Sequence, residues 1–282
     1  MASERITVSV GGQALALEFA WVGPERAGLQ GAAADPLVFL HEGLGSVAMW
    51  RDFPAQLCAA LGRPGLVYSR PGYGRSTPRP AGERWGLDFM HIQAEQVLPA
   101  LLAALGVTGA AAHDGGYTGR YHLLGHSDGG SISLIHAARF AAQVASCVVM
   151  APHILVEEFG LISIREARRA YLETELRAKL AKYHDDVDSA FWGWNDIWLA
   201  PEFPQWRITE LLGDIACPVL AIQGLDDQYG TLAQIEGIAQ AHANTCLLKL
   251  PACGHSPHKD QPAAVIAACQ AFFASAAAPA AA

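Results

Sequence analysis

Short, unbroken apolar runs recur along this chain, each separated from the next by a segment long enough for a helix: LVFL at 37–40, then 47–61; GLVYS at 65–69, then 88–105; YHLLG at 121–125, then 129–142. A sheet with one wet face would alternate apolar and polar residues. Continuous runs joined by helical crossovers instead demand a parallel sheet covered on both faces. CVVMA at 147–151, PVLAIQ at 218–223 and CLLKL at 246–250 extend the series, and 260–274 reads as a closing helix. The start differs: ITVSV and ALALEFA flank a Gly-Gly turn, the pattern of a β-hairpin. The expectation is an α/β fold with a mostly parallel sheet of about eight strands, helices on both faces and right-handed crossovers.

Between Pro152 and Gly213 the rhythm breaks. No strand candidate appears, charges fall at helical spacing in REARRAYLETELRAKLAKYH, and four of the seven tryptophans (Trp192, Trp194, Trp198 and Trp206) follow. This predicts a core from 1–152 and 214–275, a helical cap inserted at 153–213, and a disordered tail at 276–282. The aromatic residues of such a cap either fill its own core or roof a pocket. Trp192, Trp194 and Trp198 are the expected roof.

Composition narrows the partners. A chain of 282 residues, 51% hydrophobic and 16% charged, has apolar material for one large core. Its formal charge of -8 leaves no basic surface for a phosphate backbone, so nucleic acid is excluded as a partner. No apolar run approaches the ~18 to 20 residues that cross a bilayer, and MASERITVSV lacks the layout of a secretion signal. A cytoplasmic protein that does not engage membranes is expected, as monomer or homodimer, acting on a small molecule. The six cysteines form no C-x-x-C pair and are expected as reduced core thiols without a zinc site.

Gly125-His126-Ser127-Asp128-Gly129 lies where YHLLG meets the next helix and matches G-x-S-x-G. The strand must reverse into a helix within one strained turn, so glycines flank the serine and its hydroxyl projects alone above the sheet edge. A serine hydroxyl is a poor nucleophile and needs a base, and the base needs a third group to hold its tautomer. PVLAIQ ends at Gly224-Leu225-Asp226-Asp227, and CLLKL ends at Pro251-Ala252-Cys253-Gly254-His255. Both ends fall on the same sheet edge as Ser127. The candidates are therefore Ser127, His255 and Asp227, with Asp226 and His258 as the alternative acid and base. His91, His113, His136, His184 and His242 lie away from strand ends and are expected at the surface or in packing.

An oxyanion needs N–H donors already aimed at it. Asp128, after the serine and at a helix start, is one candidate. The loop His41-Glu42-Gly43-Leu44-Gly45-Ser46 after LVFL supplies Gly43 or, second, Leu44. His126, beside the serine, is expected to face the substrate pocket. No metal or organic cofactor is called for.

Together these residues resemble the α/β-hydrolase superfamily over about 35–275, in the manner of its capped esterases, proline iminopeptidases and carbon–carbon bond hydrolases. The resemblance is carried by the loop at 41–45, the elbow at 125–129, Asp227 after Gly224, Gly254-His255, and Tyr68-Ser69-Arg70-Pro71-Gly72-Tyr73-Gly74-Arg75-Ser76, which is similar to the family's D-x-R-G-x-G-x-S turn. Glu42 stands where relatives usually have a glycine or where shorter loops have no residue, Ser69 replaces the usual aspartate and Pro71 the usual glycine. Arg70 and Arg75 either meet a substrate carboxylate or tie loops together, and the second role is expected. The resemblance implies a serine hydrolase acting on a small or medium carboxylic ester, lactone or thioester through an acyl-enzyme. An iminopeptidase would need acidic recognition of a free amine, for which Glu157, Glu158 and Glu42 are candidates. A carbon–carbon hydrolase, or a receptor that binds without turnover, are the other readings.

Overall fold

A computed structural model describes residues 2–25, 35–109, 112 and 117–277. Eight strands form one sheet: β1 (Glu4–Val10), β2 (Gln13–Val22), β3 (Leu37–Leu40), β4 (Gly65–Tyr68), β5 (Tyr121–His126), β6 (Val144–Met150), β7 (Val219–Gly224) and β8 (Thr245–Leu250). Their order is β1-β2-β4-β3-β5-β6-β7-β8. The β1–β2 hairpin is antiparallel and turns at Gly11-Gly12, where positive φ values of 56° and 80° suit glycine. β2 joins β4 antiparallel, and from β4 to β8 every pairing is parallel.

Alternate residues of each central strand supply two separate cores. Val38, Leu40, Leu66, Leu123, Cys147, Val149 and Val219 belong to one. Leu37, Phe39, Val67, Leu124, Val148 and Leu220 belong to the other. Both faces are therefore apolar, which is why these strands read as continuous runs. β8 is the exception. It is a sheet edge, and Cys246 and Leu247 are exposed, so Cys246 is not the core thiol the sequence suggested. The other five cysteines are buried and unpaired.

The helices are α1 (Phe53–Leu61), α2 (Phe89–Ile92), α3 (Leu98–Ala104), α4 (Asp128–Arg139), α5 (Glu158–Glu173), α6 (Leu176–Leu180), α7 (Val187–Trp198), α8 (Ala233–Ala241), α9 (Pro257–Asp260) and α10 (Pro262–Ala277). The helix expected at 47–61 is broken at Arg51, whose φ is 53°; only a short 3₁₀ turn at Ala48–Trp50 precedes α1. Between β6 and β7 the chain carries α5, α6 and α7 and no strand among the described residues. α10 runs through 276 and 277, inside the segment expected as a tail; 278–282 lie outside the described residues, as does His113. No described helix is long and apolar enough to cross a membrane.

The parallel register brings strand ends together. Leu40 pairs with Gly125, His126 with Met150, and Gly224 with Leu250. The loops after β3, β5, β6, β7 and β8 thus open on one edge of the sheet.

Candidate active site

Ser127 sits between β5 and α4 with φ 54° and ψ −121°, a conformation that L residues adopt only under constraint. Both flanking glycines are required by their surroundings. A Cβ on Gly125 would stand 2.1 Å from the Gly129 carbonyl oxygen, and one on Gly129 would stand 2.1 Å from that of Leu40. The Ser127 N–H donates to the Met150 carbonyl at 2.9 Å, so β6 holds the turn from outside.

Three side chains from three loops meet above this turn. The Ser127 hydroxyl lies 3.0 Å from His255 Nε2, and His255 Nδ1 lies 2.9 Å from each carboxylate oxygen of Asp227. Asp227 can only accept, so Nδ1 carries the proton and Nε2 offers a lone pair to the hydroxyl. Burial lowers the His255 pKa, outweighing the upward pull of the Asp227 hydrogen bond and charge, so the ring is a neutral acceptor near pH 7. Asp227 also accepts from Gln223 Nε2 at 2.6 Å and from the Tyr229 N–H at 2.8 Å. Burial alone would raise its carboxyl, but the His255 hydrogen bond and charge, the Tyr229 N–H and His153 hold it low.

The alternatives are not brought to the serine. Asp226 is exposed, and its N–H closes the turn by donating to Cys253 O. His258 is buried against Trp50, Phe53 and His126, and neither ring nitrogen finds a partner.

A cavity of about 200 Å³ opens over Ser127, lined among others by Glu42, Gly43, Leu44, His126, His153 and Trp194. A Cβ on Gly43 would fall 2.2 Å from Trp194 Nε1, so only glycine lets the indole close down on this loop. As the first residue of α4, Asp128 contributes an N–H that has no intrahelical acceptor.

Trp194 and Trp198, four apart on α7, share one helical face and line the cavity. Trp192 does not. Two residues earlier on the helix, it faces away and lines a separate groove, beneath the Arg168 guanidinium at 5.5 Å. Glu157 is also elsewhere: it accepts from Thr231 and Gln234. Glu158 pairs with Arg165 at the surface.

Arg70 ties loops together. Fully buried, it donates from Nη2 to the Glu42 carbonyl at 2.9 Å, stands 3.7 Å from Asp128 Oδ2 and lies over the Tyr73 ring at 4.6 Å. Trp198 Nε1 donates to Asp128 Oδ1 at 3.2 Å. One buried ion pair therefore joins the loop after β3, the Ser127 turn and α7.

His153, Gln228 and Tyr229 line the cavity and were not singled out from the sequence. His153 had a usable signal, since it follows the CVVMA strand on the same edge as Ser127.

The profile of the Alpha/beta hydrolase family matches residues 37–268. No curated protein matches. Among solved structures, an esterase from Rhodococcus is 20% identical with a TM-score of 0.70, covering 98% of this chain and 99% of that one. The enol-lactonase from Burkholderia xenovorans is 19% identical with a TM-score of 0.69, covering 95% and 100%. The proline iminopeptidase from Mycobacterium smegmatis is 18% identical with a TM-score of 0.68, covering 97% and 98%. At such identities the likeness is one of fold.

Proposed function

Because the chain belongs to the alpha/beta hydrolase family, we propose that it is a serine hydrolase cleaving a small or medium carboxylic ester, lactone or thioester. The hydrogen-bonded line from Ser127 through His255 to Asp227, opening on a cavity, is the observation that carries this reading.

In the proposed reaction His255 Nε2 takes the hydroxyl proton as Ser127 Oγ attacks the acyl carbonyl. Asp227 holds the ring in its tautomer and stabilises the imidazolium that forms. Negative charge develops on the carbonyl oxygen, for which the Asp128 N–H and that of Gly43 or Leu44 are the proposed donors; such fixed dipoles need no reorientation. The carbon–oxygen or carbon–sulfur bond of the tetrahedral intermediate then breaks, and His255 returns the proton to the leaving group. Water, deprotonated by His255, attacks the acyl-enzyme and releases the acid and Ser127. The helices between β6 and β7 act as a cap, with Trp194 and Trp198 over the acyl or alcohol portion.

Purified protein is expected to hydrolyse short-chain nitrophenyl esters and to lose this with Ser127→Ala. A panel of ester, lactone and thioester substrates ranks the acyl classes. Ligand binding without turnover by unmodified protein would favour a receptor instead.

A further inference from the structure

The cavity over Ser127 has an unbalanced electrostatic lining. Among the described residues that line it there is no lysine or arginine, and Glu42 is the one carboxylate. Leu44, Ile164, Trp194 and Trp198 make the rest of the wall largely apolar.

The cations nearby already have partners. Lys259 Nζ stands 3.3 Å from Glu42 Oε1, and Lys259 is not part of the lining. Arg70 is held by the Glu42 carbonyl and the Asp128 carboxylate, fully buried behind the loop. His126 has Nε2 donating to the His255 carbonyl at 2.7 Å and Nδ1 facing Glu42 Oε2 at 3.5 Å. His153 cannot serve as a counter-ion, since burial brings its pKa down to about 3. A carboxylate entering this space would lose its water, meet no free cation and face the Glu42 carboxylate. An unpaired buried charge of this kind is strongly disfavoured.

Resting on the serine hydrolase reading, we propose that the site selects apolar, uncharged substrates, and that Glu42 is the residue that excludes those whose acyl group bears a carboxylate. Glu42 thereby acquires a role in specificity.

The test compares two esters of equal chain length, p-nitrophenyl butyrate and mono-p-nitrophenyl succinate, with the unmodified protein and Glu42→Gln. The ratio of kcat/KM for the neutral over the anionic ester is expected to be about 100-fold or more. In Glu42→Gln that ratio is expected to narrow by about tenfold, because the amide keeps the shape and removes the charge. Using a ratio cancels any general damage to the loop. Comparable turnover of the two esters by the unmodified protein would overturn the proposal, and an unchanged ratio in Glu42→Gln would overturn the part given to Glu42. If neither ester is turned over, the hydrolase reading fails separately, and saturation-transfer NMR with butyramide and succinamate still reads the selection. Binding of butyramide alone supports it; equal binding of both contradicts it.

Discussion

Two aspartates stand close to Ser127, and their surroundings push them in opposite directions. Asp227 is buried but fully served, accepting from His255, Gln223 and Tyr229, and its carboxyl is held below the usual range. Asp128 is also buried, yet Oδ2 has no hydrogen bond and its arginine partner is 3.7 Å away. Burial outweighs Arg70 and the Trp198 N–H there and pushes that carboxyl up to about 6. Burial alone does not decide what a carboxylate can do; the donors around it do. In the proposed function Asp227 works on the reacting groups, and Asp128 lends its N–H while its side chain ties Arg70, on the loop after β4, to α7.

Substitutions on the two sides should therefore fail differently. Asp227→Asn leaves His255 in the wrong tautomer, and kcat/KM for a nitrophenyl ester should fall by about 10⁴-fold with an unchanged circular dichroism spectrum. A loss below tenfold would remove Asp227 from the chemistry. Arg70→Met strands the Asp128 charge and the Glu42 carbonyl, and urea unfolding should show a loss of about 3 kcal/mol. A neutral result would mean the buried pair holds nothing. Trp198→Phe removes the N–H donated to Asp128 and part of a buried ring, for about 2 kcal/mol in the same assay.

A further effect is a difference in pH dependence. Unfolded aspartate titrates near 3.9, so between about pH 6 and 4 the folded chain binds a proton at Asp128 that the unfolded chain does not. Lowering the pH through that window adds stability at Asp128. Asp227 has the opposite sign: its contribution is complete above about pH 4 and is lost as the pH falls through its lower folded value. Unfolding free energies for the unmodified protein and Asp128→Asn should accordingly diverge between pH 6 and 4, with the unmodified protein gaining. Parallel curves would place Asp128 in an ordinary environment.

The same contrast explains what could be read from the chain. Ser127, Asp227 and His255 lie at strand ends with turn residues around them, so local patterns located them and the parallel register brings them together. Arg70 and Asp128 are 58 positions apart on different loops, and no local pattern announces that they meet, although the loop-tying role expected of Arg70 is what the structure displays. Trp192 lines a separate groove, which the clustering of tryptophans in the sequence does not reveal. Helical phase separates it from Trp194 and Trp198. β8 failed as a buried strand because an apolar run does not reveal whether another strand lies beyond it, and here none does.

The most direct test is the reaction of Ser127 with a fluorophosphonate, followed across pH and located by peptide mass spectrometry. His255 as the base, with its pKa below the ordinary value of 6.5, predicts stoichiometric labelling of Ser127 whose rate falls off only at pH below 6.5 and collapses in Asp227→Asn. Absence of labelling, labelling of another serine, or a rate indifferent to both pH and Asp227 would contradict the account.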